Sequence, residues 1–258
     1  MALKLSTDIH QNEYQRACAG LRQAFDTKPA VRELFYDNID STLLELFMIH
    51  WCALSAGLTE PIPRFLKRAS ENCAKLGVRE VAEFFLEHAH EEDGHEDWAR
   101  RDTIKLVKRW NRARPDQPLD ADVLLQNKIS PAVERYHALH ERVINGESPW
   151  GELAIDVEIE LLSVVYGPLL IQRCIQGMGR EVLAELSFLR EHVTADVNHT
   201  NVNFEVVQRV LDQQPHFAED LVATAAGALE SYADFLGDAL ARAKSDFARM
   251  APAERAMG

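Results

Sequence analysis

Two histidines and an aspartate lie at helical spacing in the C-terminal third of the chain. His192, Asp196 and His199 are separated by four and three residues, and residues that far apart share one face of an α-helix. Imidazole nitrogens and carboxylate oxygens that point the same way are typical ligands of divalent metal ions. The competing interpretation is a solvated polar face, because the charged residues Arg190 and Glu191 lie beside them.

A second stretch rich in histidine and acid lies upstream, at residues 85–98. Its Glu92-x-x-His95 pair has the spacing of the carboxylate and histidine ligands that helical bundles use to hold two metal ions. Glu91 is an alternative to Glu92, because residues three and four before a histidine share its helix face. His88 lies on the same stripe, and it is interpreted as an alternative ligand, as a residue that supports the ligands, or as a surface imidazole.

A third pair of carboxylates lies within an otherwise apolar segment. Glu158 and Glu160 are surrounded by aliphatic residues at 155–162, where an unpaired buried charge is strongly disfavoured. Residues two apart on a helix cannot face the same way, so only one of the two can point towards the metals. Glu160 is the preferred ligand and Glu158 is the alternative, while a polar stripe on an amphipathic helix is the competing explanation.

The remaining histidines and several aromatic residues are assigned other positions. His137 and His140 have no third ligand in view and are predicted to lie at the surface. His50 lies in the apolar segment 41–58 and is predicted to be a core histidine or a pocket group. The residues predicted to line a substrate pocket are Phe47, His50, Trp51, Tyr166 and Phe204.

The donor atoms in these stretches are oxygens and imidazole nitrogens, without thiolates. This set suits Fe(II) or Mn(II) better than structural zinc. Three histidines and three carboxylates could hold two divalent ions and leave coordination positions open for O₂.

Helical periodicity runs through almost the whole chain, with no sustained alternation of apolar and polar residues, so the predicted fold is all-α. Helices are predicted at residues 6–25, 30–36, 41–58, 63–76, 78–110, 130–145, 149–176, 181–211 and 216–250. The Gly167-Pro168 pair is predicted to kink the 149–176 helix. No shift in composition marks a boundary, so residues 1–258 are predicted to form one domain with a frayed tail at 251–258.

Composition and charge narrow the classes of function and partner. The net charge of −13 argues against a nucleic-acid partner, and the basic segment 105–114 is interpreted as a solvated helix end. The N-terminus turns polar too soon for a signal peptide, and no apolar run reaches the roughly 20 residues of a membrane span. The four cysteines show no close pairing. A soluble, cytoplasmic protein with no membrane partner is therefore expected.

The order of the candidate ligands resembles that of the haem-oxygenase-like diiron oxidases and oxygenases. These are bundles of seven or more helices, related in fold to haem oxygenase and thiaminase II, in which a Glu and a His precede a later Glu and a His-x-x-x-Asp-x-x-His motif. The spacing of the first pair is similar to the branch that contains the 1-alkene-forming fatty-acid decarboxylase; other members place that Glu two turns before the His, where this chain has His88. The matching residues are Glu92, His95, Glu160, His192, Asp196 and His199.

The resemblance implies a haem-oxygenase-like bundle that binds two Fe(II) ions and takes O₂ as co-substrate. It implies oxidation of a small-molecule substrate, namely an amine, an amino acid or a carboxylic acid, in the biosynthesis of a specialised metabolite. The reaction would be N-oxygenation or oxidative C–C cleavage through a peroxo-diferric intermediate. An external electron donor and a homodimer are further expectations from the resemblance.

Two other functions are compatible with the sequence. A metal-free, thiaminase-like hydrolase or ring-closing oxidase on the same fold would use Cys52 or Cys174, although neither has a neighbouring base in the sequence. A non-enzymatic helical binding protein would carry the histidine and glutamate stripes as solvated faces. Only a metal-binding protein should gain melting temperature when metal is added, because a ligand of the folded state stabilises that state.

Overall fold

The computed structural model describes residues 13–250, and within this range it contains α-helices and short 3₁₀-helices but no strand. The predicted all-α fold is therefore confirmed for these residues. The predicted helical residues before Glu13 and the predicted frayed tail at 251–258 lie outside the described range.

Eleven α-helices are present in the described residues. Three 3₁₀-helices lie between them, at Pro149–Gly151, Arg180–Glu185 and Pro215–Phe217. The α-helices, in chain order, are α1 (Glu13–Asp26), α2 (Pro29–Phe35), α3 (Ser41–Thr59), α4 (Ile62–Lys75), α5 (Arg79–Glu91), α6 (His95–Ala113), α7 (Ala121–Gln126), α8 (Pro131–Ile144), α9 (Glu152–Met178), α10 (Ser187–Gln213) and α11 (Ala218–Arg249).

Helix α3 is the central helix of the bundle, and α6, α9 and α11 pack around it. Every residue from Leu43 to Leu58 is buried, as expected of a helix that is apolar on all sides. Its N-cap is Asp40, whose side chain accepts hydrogen bonds from the backbone N–H groups of Thr42 and Leu43.

One stretch of the described chain, residues 41–75, is long and apolar enough to span a membrane by composition. Its mean hydropathy is 1.3, but 89% of the scored window is buried inside the protein. The core position of α3 accounts for this apolar composition.

The predicted helix at 78–110 is in fact two helices. Helix α5 ends at Glu91 and α6 begins at His95, and Gly94 between them has a φ of 88°. Only glycine adopts this left-handed conformation at little cost. Helix α5 packs against α4, whereas α6 packs against α3. Glu92 and His95 therefore lie on either side of a helix junction and not on one continuous helix.

Helices α9 and α10 pack closely against each other. A Cβ atom at Gly167 of α9 would lie 2.2 Å from Cγ2 of Val193 on α10, so this approach requires glycine. Helix α9 continues from Glu152 to Met178 through Pro168. The close approach brings the candidate ligands of both helices to one side of the bundle.

Helix α10 begins at Ser187, six residues later than predicted, because residues Arg180–Glu185 form a 3₁₀-helix. The fully buried Asp102 of α6 fixes this start. Its carboxylate accepts hydrogen bonds of 2.6 Å from the Ser187 hydroxyl and from the Phe188 backbone N–H. Asp102 thus supplies the cap that α10 lacks in its own sequence.

Candidate metal centre

One group of three candidate ligands joins helices α5, α9 and α10. His88, Glu160 and His199 each place one nitrogen or carboxylate oxygen within 4.8 Å of the others. Nε2 of His88 lies 3.3 Å from Oε1 of Glu160, and Nδ1 of His199 lies 3.4 Å from the same oxygen. His88 and Glu160 are buried.

A second group lies where α5 meets α6 and includes one residue of α10. Glu92, His95 and His192 also place one ligand atom each within 4.8 Å of one another. Oε2 of Glu92 lies 3.0 Å from Nδ1 of His95, and the rings of His95 and His192 are 4.8 Å apart. Nδ1 of His192 lies 2.8 Å from the Phe188 carbonyl oxygen. If that nitrogen carries the proton, Nε2 is free to bind a metal.

Asp196 lies beside the first group, and its side chain is almost fully buried. Its Oδ1 is 3.7 Å from Nδ1 of His199. Burial, together with the nearby charge of Glu160, raises the pKa of Asp196 to about 8. The six residues predicted as ligands therefore lie in one region of the protein, and His88 lies there with them.

Unusual pKa values accompany this crowding of charged groups. Burial lowers the pKa of His88, but the carboxylates of Glu91, Asp156 and Glu160 outweigh it and raise that pKa to about 10. Burial raises the pKa of Glu92, but the hydrogen bond with His95 and neighbouring imidazoles outweigh it and lower that pKa to about 2. Both shifts favour the charged form at neutral pH, which is the imidazolium of His88 and the carboxylate of Glu92.

The geometry and chemistry of the two groups fit divalent metal ions. Two ligands of one ion, each about 2.1 Å from it, lie at most about 4.2 Å apart, and the contacts of 3.0–3.4 Å satisfy this limit. Oε1 of Glu160 and Nδ1 of His199 are buried without a hydrogen-bond partner among the described residues. A bound cation would satisfy both atoms.

The alternative ligands occupy different environments. Glu158 accepts hydrogen bonds from Tyr14 and Arg22, at 2.8 Å each, and belongs to neither group. Glu91 is exposed, but its Oε2 lies 3.4 Å from Nδ1 of His88 and 3.8 Å from Nε2 of His199. Glu91 is thus placed to orient histidines of the first group.

A cavity of about 130 Å³ adjoins both groups. Its lining includes residues of the candidate metal groups, and most of its remaining wall is aliphatic or aromatic. Of the residues predicted to line a substrate pocket, Trp51 and Tyr166 line this cavity, whereas Phe47, His50 and Phe204 lie outside its lining.

The three predicted pocket residues that lie outside the cavity lining are in other environments. Nε2 of His50 lies 2.7 Å from the Asp246 carboxylate of α11, and Phe47 is fully buried in the core. The guanidinium carbon of Arg22 lies 5.9 Å from the centre of the Phe204 ring. The partners of His50 and Phe204 come from distant parts of the chain.

Three polar residues that are buried at or near the cavity, His140, Glu152 and Asp156, were not predicted to lie there from the sequence. His140, predicted to lie at the surface, is buried because it stacks on Phe65 and hydrogen-bonds Glu152. Asp156 lines the cavity. Glu152, Asp156 and Glu160 are four residues apart, and this repeat of acids in an apolar helix was the available signal.

Comparison with known proteins supports the fold. No protein-family model matches the chain, and no curated protein matches it. A solved structure from Shewanella denitrificans, described as a domain of unknown function with a haem oxygenase-like fold, is similar, with a TM-score of 0.66 and 20% sequence identity. The match covers 92% of this chain and 94% of that chain. The chain therefore has a haem oxygenase-like fold.

Proposed function

We propose that this protein is a non-haem diiron oxidase or oxygenase that uses O₂ to oxidise a small organic substrate. The observation that carries the proposal is the pair of three-residue groups on the wall of one largely apolar cavity. Nitrogen and oxygen donors without thiolates suit Fe(II). The substrate belongs to the amines, amino acids or carboxylic acids, and its product to specialised metabolism.

Each group would hold one iron ion. His88, Glu160 and His199 would bind the first ion, with Asp196 adjacent, and the second group would bind the other. When bound, the two ions supply the site that binds and reduces O₂. The set differs from the family pattern because His88 stands where many members have a carboxylate, so the site carries four histidines and three carboxylates.

Other residues of the chain hold the candidate ligands in place. The Asn203 amide donates a hydrogen bond to Oε2 of Glu160, which leaves Oε1 directed at His88 and His199. The Phe188 carbonyl fixes the ring of His192. Such support restricts the ligands to one geometry before metal arrives.

Apolar side chains would keep water away from the reacting part of the substrate. Phe188 and Leu189 lie on the cavity wall on the first turn of α10, beside the candidate ligands, and Trp51 packs against Phe188 with ring centres 5.4 Å apart. A dry cavity strengthens electrostatic interactions within it and limits side reactions with water.

The thiol-dependent alternative has less support. Cys52 and Cys174 are buried and lie outside the cavity lining. Burial raises the pKa of Cys174 to about 12 and raises that of Cys52 well above its usual value. A thiol that stays protonated is a poor nucleophile. The non-enzymatic alternative requires solvated stripes, whereas His88, Glu160 and Asp196 are buried.

The test is anaerobic Fe(II) titration of the wild-type protein, a His192→Ala variant and a His90→Ala control. His90 is exposed and lies between His88 and Glu92 in the sequence, but it belongs to neither group. We expect two ions per wild-type chain and per control chain, and fewer in His192→Ala. Admission of O₂ should then change the visible spectrum of the iron-loaded protein. Absence of specific iron binding by the wild type would overturn the proposal.

A further inference from the structure

Helix α9 carries three acidic residues at intervals of one turn. Glu152, Asp156 and Glu160 are exposed by only 0%, 7% and 7%, respectively. Like charges four residues apart destabilise a helix, and burial increases the cost of each unpaired carboxylate. Glu160 belongs to a candidate metal group, so Glu152 and Asp156 require a separate explanation.

Glu152 has a partner within the protein. Its Oε1 contacts Nδ1 of His140, and the His140 ring stacks on Phe65 with centres 4.9 Å apart and meets the Tyr136 ring edge-on. This contact gives the Glu152 carboxylate an imidazole partner within the chain, although Nε2 of His140 and Oε2 of Glu152 are buried without a hydrogen bond in the described residues.

Asp156 has no such partner. Its Oδ2 is buried without a hydrogen bond in the described part of the chain, and its side chain lines the cavity. The cavity lining, taken over the described residues, includes no lysine and no arginine. Burial raises the pKa of Asp156 well above its usual value; the nearby His88 opposes this rise, and the charges of Glu152 and Glu160 add to it. A cation that entered the cavity would stabilise the ionised carboxylate of Asp156 and so lower its pKa.

We propose that Asp156 binds the ammonium group of an amine substrate whose hydrocarbon body lies against the apolar cavity wall. An ammonium group offers three N–H donors and a positive charge, and a charge-assisted hydrogen bond to a carboxylate is among the stronger ones. A carboxylic acid would meet like charge at Asp156. The inference rests on the proposed function and narrows its three substrate classes to amines.

Asp156 is also one turn from Glu160, so it could instead balance the charge of bound metal. Two divalent ions carry one positive charge more than Glu92, Glu160 and Asp196 supply in negative charge. In that role Asp156 would affect iron affinity and would not discriminate between ligands. The experiment must separate these two roles.

The test compares hexylamine, hexanol and hexanoate, which share a hydrocarbon chain and differ in the charge of the head group. Each is titrated by calorimetry into metal-free protein and into anaerobic Fe(II)-loaded protein. Hexylamine is positively charged at neutral pH, as a lysine side chain is. We expect it to bind about tenfold more tightly than hexanol, with hexanoate weakest. Equal binding of the three, or preference for hexanoate, would overturn the inference.

An Asp156→Asn variant tests the residue itself. We expect its affinity for hexylamine to fall about tenfold, with hexanol binding unchanged. Asp246→Asn is the matched control, because Asp246 has a side chain that is only 10% exposed and lies outside the cavity lining. If Asp156→Asn does not fold, the wild-type ligand series decides alone. Loss of iron with retention of the amine preference would assign Asp156 to charge balance and overturn the inference.

Failure of the ammonium site can be distinguished from failure of the proposed diiron function. Iron stoichiometry is measured on the same wild-type sample before any amine is added. Two ions per chain without amine preference would refute the ammonium site alone. Amine preference that depends on Asp156 in a protein that binds no iron would refute the diiron proposal and leave an amine-binding cavity.

Discussion

Glu158 and Glu160 lie two residues apart on α9, and their carboxylates are engaged in different parts of the protein. Oε1 of Glu158 lies 2.8 Å from Nη2 of Arg22, whereas Oε1 of Glu160 lies 3.3 Å from Nε2 of His88. Residues two apart point to nearly opposite sides of a helix. Glu158 therefore forms an ion pair within the surrounding scaffold, whereas Glu160 of the same helix belongs to the candidate metal centre.

This relationship gives a matched pair of variants. Glu160→Gln should lose iron from the first group without loss of folding stability, because it removes a charge buried beside other carboxylates. Glu158→Gln should retain the iron stoichiometry but lower the free energy of unfolding by about 2 kcal/mol, because it breaks a charged hydrogen-bond pair with Arg22. Urea unfolding and anaerobic Fe(II) titration measure both properties. Equal loss of iron in the two variants would contradict this assignment.

Metal affinity should depend on pH, because metal must displace protons from the site. In the metal-free protein the pKa of His88 is about 10 and that of Asp196 is about 8, so both groups are protonated at neutral pH. Metal ligands must be deprotonated. Affinity should therefore rise as pH increases from about 6 to about 8, by up to about tenfold per pH unit for each displaced proton.

Mn(II) is suited to this measurement, because it can be titrated in air across the range. Calorimetry in buffers of different ionisation enthalpy would count the protons released. An Asp196→Asn variant serves as the comparison, and its affinity should vary less steeply with pH. A flat profile in the wild type would show that the ligands are already deprotonated.

The helix junction at Gly94 should control both stability and metal binding. An alanine at this φ of 88° costs about 1 kcal/mol, although no atom lies within 4 Å of a Cβ built there. Relief of that strain would move Glu92 relative to His95, so iron affinity of the second group should fall. Iron titration and thermal unfolding of Gly94→Ala test this.

Gly20→Ala is the control for that prediction. Gly20 lies on the exposed face of α1, and its Cβ would also meet no atom within 4 Å. Because its conformation is helical, alanine should stabilise the protein by about 0.5–1 kcal/mol and leave iron binding unchanged. An identical effect of both substitutions would mean that the junction has no special role.

The fold class was predictable from the sequence because apolar periodicity is a local property. The all-apolar segment at 41–58 predicts a buried helix, and α3 is one. The break at Gly94 was not predictable in the same way, since a single glycine is tolerated inside many helices. The conformation there is set by the separate packing of α5 and α6 on different helices, which no short window of sequence reveals.

Residues of the candidate site could be predicted from the sequence where they repeat at helical spacing on one helix. They could not be predicted where their burial or contacts depend on residues from other helices. His192, Asp196 and His199 form a pattern that can be read directly. His140 was assigned to the surface because its burial depends on Phe65, which lies on another helix. His50 was assigned either to the core or to a pocket, and the sequence could not decide because its partner Asp246 is 196 residues away.

Both candidate metal groups take one histidine from α10, His199 in one group and His192 in the other. A chain is synthesised from its N-terminus, so α5, α6 and α9 leave the ribosome before α10 exists. Until then the nascent chain presents histidines and carboxylates that complete neither group. Under the proposed function, metal loading would be a late step in the maturation of this protein, because a chain that ends before Ser187 lacks one histidine of each candidate group.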